Sequence, residues 1–293
     1  MFRTWLARSA LPSTVVTLLL LVTSMGIGGA AARGAEPCGS AVNFDPRNFS
    51  HPTIIDNPYL PMVPGTRLVL KGQADRGGGV AAHRVIFTVT DLTKLINGVT
   101  SRVIIDRDVS EGELAELELS FFAQDDAGNV WNLGEYPEEY EDGVLAGAPS
   151  TWIAGLQRAK AGIHMLANPR EDSPRYLQGS APRIEFLDCA KVLETGLRTC
   201  VPAGCFNKVL VTDEISPLES GNAHQRKFHA PGVGIVKVTA INDPEGETLV
   251  LTEIVQLTAS QLKNVRTTAR HMDTRGCSVN QLYCKTQPVQ RAP

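Results

Sequence analysis

The chain has 293 residues, of which 43% are hydrophobic and 20% charged, with 28 basic and 31 acidic side chains and a formal net charge of −3. Nucleic acids and anionic membrane surfaces are bound through basic patches, so this charge balance argues against both as partners. The composition is that of a globular protein with enough apolar residues for a sizeable core.

The first 32 residues have the pattern of a signal peptide. Arg3 and Arg8 precede an almost uncharged stretch, 11–27, and Ala30 and Ala32 form a small-x-small cleavage site. A retained membrane anchor is the alternative, but Thr and Ser interrupt the apolar core, which favours cleavage near Ala32. No later segment is long and apolar enough to span a bilayer. We therefore expect an exported protein, periplasmic or extracellular.

All six cysteines follow the predicted cleavage site. An even number of cysteines in an exported chain indicates disulfide bonds. The short spacing between Cys277 and Cys284 predicts a local bond in the tail. Two of Cys189, Cys200 and Cys205 are expected to pair with each other, which leaves the third for Cys38.

The chain then divides into three further segments. Residues 33–65 predict an irregular N-terminal arm that packs on the core through apolar side chains at Ile54, Ile55, Tyr59, Leu60 and Met62. Residues 66–257 read as short β-strands separated by turn signals such as Asn97-Gly98 and Glu111-Gly112. Residues 150–180 break this rhythm and predict a long crossing loop. From 258 to 293 we expect a helix, with Thr258 or Ser260 as its N-cap, and a disulfide-clasped tail.

Many short strands and little helix predict an all-β fold, mainly antiparallel. The expected form is a curved open sheet or half-barrel with a long crossing loop and a short C-terminal helix. In 85–89, apolar side chains occur on both faces of the strand. This pattern is expected where other parts of the protein cover both faces of a sheet.

Four motifs suggest a family. They are "IDNPYLPMVPGT" at 55–66, "AQDDAGNVWNLGE" at 123–135, "VPAGCFNKVLVTDEISPL" at 201–218 and "KFHAPGVGIVKV" at 227–238. They resemble motifs of an uncharacterised exported bacterial group similar to the DUF3108-type domains, over roughly 55–257. The resemblance implies the half-barrel of the LolA lipoprotein carriers, open over an apolar groove, and it carries over no catalytic residue. The sequence departs from the group at Cys205, where Thr is expected, and in the cysteine-bearing tail.

Catalytic motifs are absent from the sequence. It contains no Gly-x-Ser-x-Gly elbow, no Ser-x-x-Lys pair and no His-Glu-x-x-His site, and its histidines are scattered. We therefore predict no catalytic residue, no metal site and no cofactor. The run "DDAGN" at 125–129 is better explained as a hairpin turn than as a calcium loop. The acidic run 134–143 allows one alternative, a secreted hydrolase that uses Glu135 and Glu139 with His164.

Apolar and aromatic residues give the leading hypothesis. A groove closed by the crossing loop would be lined by Trp131, Trp152, Ile163, His164, Met165 and Leu166, with His164 as a polar orienting group. Ordinary core packing is the alternative reading of the same residues. The sequence thus favours an exported, non-enzymatic binding or scaffold protein whose partner is an apolar small molecule, an extended segment of another chain or an envelope protein. A purely structural envelope protein is the further alternative.

Overall fold

The computed structural model describes residues 38–39, 43–218 and 222–292, so the predicted signal peptide lies outside the described residues. Within them the chain forms fifteen β-strands, one α-helix and three 3-10 turns. The strands are β1 (Thr66–Asp75), β2 (Val80–Ile96), β3 (Val99–Ser110), β4 (Glu113–Gln124), β5 (Val130–Glu141), β6 (Val144–Gly147), β7 (Trp152–Ile153), β8 (Lys160–Met165), β9 (Tyr176–Ala181), β10 (Phe186–Val201), β11 (Gly204–Ile215), β12 (His224–Ala230), β13 (Gly234–Ile241), β14 (Thr248–Gln256) and β15 (Gln290–Arg291). The helix α1 spans Ala259–Val279, and the 3-10 turns span Pro46–Asn48, Pro182–Ile184 and Tyr283–Lys285.

The sheet is a closed barrel of twelve antiparallel strands, in the order β1-β14-β13-β12-β11-β10-β9-β8-β5-β4-β3-β2. Strand β1 closes it because it pairs on both sides: Leu70 lies opposite Leu251 of β14 and opposite Val85 of β2. The all-β antiparallel prediction is confirmed, but the prediction of an open half-barrel is wrong. The pairing of β1 with β14 joins strands that are far apart in sequence, so no local pattern reports it.

Hairpins join most of the neighbouring strands at the predicted turns. Asn97 and Gly98 both have positive φ angles, 47° and 84°, in the turn between β2 and β3. Glu111 and Gly112 do the same between β3 and β4, at 55° and 91°. Two successive positive φ angles match the right-handed twist of the flanking strands, which explains the Asn-Gly and Glu-Gly pairs.

The segment 150–180 is not a simple crossing loop. It contains β7, which pairs with β5, and both β8 and β9, which belong to the barrel wall. Strand β8 pairs with β5 on one side and with β9 on the other. These strands are short and rich in Gly and Ala, so their strand signal in the sequence is weak.

Two apolar clusters lie on the two faces of the barrel wall. The interior cluster takes residues from strands all around the barrel, including Leu70, Val85, Ile104, Val209 and Leu249. The larger cluster includes the opposite face of β3–β5, with Leu119 and Leu133, and the residues of α1 that cover it. Alternation along each strand therefore separates an interior face from a face covered by other elements.

The N-terminal arm contacts both faces. Ile55, Leu60 and Met62 are buried in the interior cluster, whereas Ile54, predicted to pack as well, is 60% exposed. The amide of Gly232, in the turn between β12 and β13, donates to the carbonyl of Pro58 at 2.8 Å. The arm and this turn together cover the apolar part of the interior.

The C-terminal helix packs against β2 and β5. Its N-cap is Thr258, which forms a reciprocal capping box with Gln261. The ammonium group of Lys94 is buried beneath the helix, where it donates to Asp273 at 2.6 Å and lies 4.3 Å from the centre of the Tyr283 ring. Of the helices in the described residues, none combines the length and apolar character needed to cross a bilayer.

Three disulfide bonds join Cys38 to Cys189, Cys200 to Cys205 and Cys277 to Cys284. None of the cysteines in the described residues is free. The first bond ties the N-terminal end to β10 across 151 residues, and the second closes the hairpin of β10 and β11.

Candidate binding sites inside and beside the barrel

One side of the barrel interior carries buried carboxyl groups on three neighbouring strands. Asp106 of β3 lies opposite Glu118 of β4, and Ser120 of β4 lies opposite Glu135 of β5. Asp106, Glu118 and Glu135 are 6%, 5% and 8% exposed. We call Asp106, Glu118, Ser120 and Glu135 the acidic face.

A β-bulge places Glu135 on this face. The pairing of β4 with β5 shifts register between Ser120 and Phe122, where Gly134 has a φ angle of 150°. A Cβ on Gly134 would lie 2.6 Å from the carbonyl oxygen of Trp152, so this close approach requires glycine. The bulge lets Asn132 and Glu135, three residues apart, face the same side.

Hydrogen bonds orient the Glu135 carboxylate. The indole N–H of Trp152 donates to its Oε2 at 3.0 Å, and the amide of Asn132 donates to its Oε1 at 2.6 Å. The Trp152 ring stacks on Phe186 with 5.2 Å between the ring centres. The position of the carboxylate is therefore set before any ligand arrives.

Other polar atoms of the interior lack such partners. Within the described part of the chain, Oδ1 of Asp106, Oε1 of Glu118 and Nε2 of His164 are buried and make no hydrogen bond. Burial raises the pKa of Asp106 to about 7 and that of Glu118 to about 8, although the nearby Ser120 hydroxyl favours the ionised form of Glu118. Burial lowers the pKa of His164 to about 3, so its ring is neutral. Buried polar atoms without partners are rare in folded proteins, so these three atoms identify the region as a candidate functional site.

Several other charged groups of the interior are paired with groups of opposite charge. Lys227 pairs with Glu214 at 2.6 Å, and this contact outweighs burial and lowers the pKa of Glu214 to about 2. His83 contacts Glu247 at 2.8 Å, and Arg76 pairs with Asp108 at 2.8 Å. In contrast, no lysine or arginine among the described residues forms an ion pair with Asp106 or Glu118.

A small cavity of about 10 Å³ lies beside the acidic face, and its walls include Asn132, Glu135, His164, Gln178 and Lys227. A cavity of this size holds about one water molecule. Among the described residues, no three His, Cys, Asp or Glu side chains are close enough together to hold a metal ion.

A larger cleft opens on the surface between the β4–β5 turn and the β8–β9 loop. We call it the β8–β9 cleft. Its volume is about 410 Å³, and it is lined by Ala127, Asn129, Leu166, Ala167, Asn168, Ser173, Pro174, Arg175 and Tyr176. The buried hydroxyl of Tyr176 has no hydrogen-bond partner in the described part of the chain. Burial and the nearby Glu214 carboxylate raise the pKa of this hydroxyl, which therefore keeps its proton.

Hydrogen bonds hold the walls of this cleft in place. Asp125 accepts from the backbone of Asn129 at 2.8 Å and from the indole of Trp131 at 2.8 Å, which fixes the predicted hairpin turn. Asn129 in turn accepts from the amide of Ala167 at 2.8 Å. Asn57 of the arm donates to the carbonyls of Gly128 and Leu166, both at 3.0 Å. The cleft is therefore preformed.

The six predicted ligand-binding residues do not line one common groove. Trp131 and Ile163 belong to the larger apolar cluster, where Phe44 of the arm packs on the Trp131 ring. Trp152 and His164 lie beside the acidic face, and Met165 belongs to the interior cluster. Leu166 alone of the six lines the β8–β9 cleft. A ligand-binding role stays a prediction for all six residues.

The acidic run 134–143 is distributed over several environments. Glu135 faces the interior, whereas Glu138 is fully buried towards α1, where Arg275 donates to it at 2.7 Å. Glu135 and Glu139 stand four residues apart on one strand, about 13 Å. This is the separation along the backbone and not that of the two carboxyl groups, so the hydrolase alternative stays a prediction.

Sequence reasoning missed Asp106, Glu118 and Tyr176. Glu118 alternates with apolar residues in "LAELELS", and Asp106 lies in the charged run of "VIIDRDV"; both patterns normally indicate a solvent-facing polar side. Closure of the barrel turns that side inward. Only knowledge of the closure would have identified these carboxyls as interior groups.

Comparison with known proteins gives little further information. No protein-family model matches the chain, and no curated protein matches it. The resemblance to DUF3108-type domains and LolA carriers is therefore not confirmed.

Two solved structures are similar to the chain. One, from Bacteroides fragilis NCTC 9343, is provisionally described as an exported protein with a YmcC-like fold; it has 14% identity and a TM-score of 0.40, over 68% of this chain and 99% of its own. The other, from Parabacteroides distasonis ATCC 8503, is provisionally described as a lipoprotein; it has 13% identity and a TM-score of 0.36, with the same coverage. Similarities of this size support no inference about what the present chain binds.

Proposed function

We propose that this chain is an exported, non-enzymatic binding protein that holds a small ligand in the β8–β9 cleft. The proposal rests on the volume of the cleft, about 410 Å³, which lies in the range of small-molecule sites. Its preformed walls would lower the entropy lost on binding. Three disulfide bonds support export, because such bonds persist in oxidising compartments.

The lining indicates the chemistry of the ligand. Ala127, Leu166, Ala167 and Pro174 offer apolar contacts, and Asn168 and Ser173 offer polar groups at the same cleft. A ligand with an apolar body and one hydrogen-bonding end would satisfy both. Such a ligand corresponds to the apolar small molecule expected from the sequence.

Native mass spectrometry of the purified protein tests the proposal, before and after denaturation. Extra mass that disappears on denaturation is expected, together with saturable binding of the apolar dye 1-anilinonaphthalene-8-sulfonate. Ala167→Trp fills the cleft and should abolish both signals. Val144→Trp is the matched control, since Val144 is 67% exposed and does not line the cleft. Equal dye binding by the two variants would refute the cleft as the site.

A further inference from the structure

We propose that the outer face of β1, β2 and β3 docks on the phosphate-rich surface of an anionic lipid bilayer. We call it the basic face, and its cations are Arg67, Lys71, Arg84 and Arg107. The formal net charge of −3 argues against such a partner for the chain as a whole, but cations gathered on one face act together. The basic face is separate from the β8–β9 cleft. This inference therefore goes beyond the proposed function, and either can fail without the other.

Strand alternation places these cations on the outside of the barrel. Successive side chains of a strand point to opposite faces of the sheet. Each cation is adjacent in sequence to a residue that faces the interior: Leu68, Leu70, Val85 and Asp106. Lys71, Arg84 and Arg107 are exposed, and Arg67 is half-buried. The four side chains are therefore presented on the outer wall.

The pairing of the strands brings the cations close together. Lys71 of β1 lies directly opposite Arg84 of β2. Arg107 of β3 lies opposite Ile86, two residues further along β2. Neighbouring strands are about 4.8 Å apart, and the four residues from Arg67 to Lys71 span about 13 Å. The cations thus share an area of about 10 by 13 Å.

Three of these cations have no anion of their own. Among the described residues, Arg67, Arg84 and Arg107 form no ion pair, whereas Lys71 pairs with Glu253 at 3.3 Å, and both of these groups are about half exposed. Burial and the nearby Arg107 guanidinium lower the pKa of Arg67. Like charges that lie opposite each other on neighbouring strands destabilise a sheet. Anions placed across the face would offset this repulsion.

The chemistry and shape of the face favour a bilayer. Three of the four cations are arginines, and the planar guanidinium group binds phosphate through two parallel hydrogen bonds. The β8–β9 cleft and the cavity beside the acidic face are lined by none of them. A single small anion is held in a pocket, whereas lipid headgroups present phosphates over an extended surface. The export proposed above brings the chain to such surfaces.

A bilayer on the basic face leaves the β8–β9 cleft accessible. In the closed order of the barrel strands, β9 lies six positions from β1 in either direction. The two strands are therefore on opposite sides of the barrel. The bilayer would hold the protein while the cleft faces the surrounding solution.

Co-sedimentation with lipid vesicles tests the proposal. The purified protein should bind vesicles of phosphatidylglycerol and phosphatidylcholine in equal parts at about 0.01 M salt, where charges act over about 30 Å. It should not bind them at about 1 M salt, where this range falls to about 3 Å. Each cation near an anionic surface strengthens binding about fivefold, so Arg84→Gln combined with Arg107→Gln should weaken it about 25-fold.

The matched control is Lys160→Gln combined with Arg198→Gln. This variant removes two exposed cations from β8 and β10, on the far side of the barrel, and should keep full binding. Vesicles of phosphatidylcholine alone carry no net charge and should not bind the unmodified protein. All four substituted positions are exposed, so both double variants should keep the unfolding temperature of the unmodified protein.

Three results would overturn the proposal: no binding of the unmodified protein to the anionic vesicles, equal binding to phosphatidylcholine alone, or equal losses in the two double variants. A second copy of this chain, docked through its exposed acidic turn at Glu141 and Asp142, is the competing partner. Analytical ultracentrifugation without lipid would reveal it as a salt-sensitive dimer that the Arg84→Gln and Arg107→Gln variant does not form. Such a dimer would also overturn the proposal, because it would assign the basic face to the second copy.

Discussion

Inside the barrel, Trp152 donates its indole N–H to the carboxylate of Glu135 at 3.0 Å, although the two residues lie on different strands and 17 positions apart. The two residues are directly opposite in the pairing of β5 with β7. The contact joins a short strand from the predicted crossing loop to the acidic face. It therefore links the 150–180 segment to the interior charges.

Trp152→Phe tests this contact. The substitution keeps a ring that can stack on Phe186 but removes the N–H donor to a buried carboxylate. We expect a loss of about 1.5 to 3 kcal/mol in the free energy of unfolding, measured in urea. In the Glu135→Gln background the same substitution should cost clearly less, because the charged acceptor is gone. Equal costs in the two backgrounds would show that the hydrogen bond contributes nothing.

The stability of the barrel should fall as the pH rises from about 6.5 to 8. Asp106 and Glu118, with pKa values raised by burial to about 7 and 8, keep protons in the native state that the unfolded chain has lost. Each such proton contributes about 1.4 kcal/mol per pH unit. Half-buried Glu139, whose pKa is raised by burial to about 8, acts in the same direction.

His164 and His229 act in the opposite direction at lower pH. Burial lowers their pKa values to about 3 and 4, so only the unfolded chain takes up their protons below about pH 6.5. Above about pH 6.5 these histidines no longer change the free energy of unfolding, so urea unfolding across pH 6.5–8 measures the contribution of the carboxyl groups. Glu118→Gln should reduce the slope there, whereas Glu113→Gln should leave it unchanged. A flat profile for the unmodified protein would contradict the raised pKa values.

Arg275→Met should weaken the docking of α1. Glu138 is fully buried under the helix and accepts hydrogen bonds from Arg275 and from Tyr136, the latter at 2.8 Å. Loss of the guanidinium leaves a buried carboxylate without its cation; because Arg275 is 38% exposed and water screens the pair, we expect a cost of about 1 to 3 kcal/mol in the free energy of unfolding. The control is Arg270→Met, at an exposed position of the same helix, which should have little effect. Similar losses in both variants would refute the role of the ion pair.

The disulfide bonds should differ in their contribution to stability. The bond between Cys38 and Cys189 closes 151 residues, and that between Cys200 and Cys205 only 5. Loop-closure entropy predicts losses of about 5 and about 2 kcal/mol when each pair is replaced by alanine. Urea unfolding of the two double variants measures both losses. A larger loss for the short hairpin bond would contradict the entropic explanation.

Local signals predicted several features correctly. Thr258 and Gln261 lie three positions apart, as a capping box requires, and α1 begins directly after Thr258. The Asn97-Gly98 pair forms its turn because both residues tolerate positive φ angles at low cost. The all-β class follows from many such turns between short runs of β-branched residues.

By itself, the amino-acid sequence determined the class of fold, the ends of the strand-rich region and the helix, and an oxidised set of cysteines, because each depends on neighbouring residues or on composition. Only the tertiary structure decided that the sheet closes, since β1 meets a strand nearly 200 residues away. Closure turned Asp106 and Glu118 inward, and the bulge at Gly134 reversed the alternation that would have placed Glu135 with Leu133. An alternating pattern shows that a strand has one apolar and one polar face. Only the completed barrel decides which of the two faces is turned towards water.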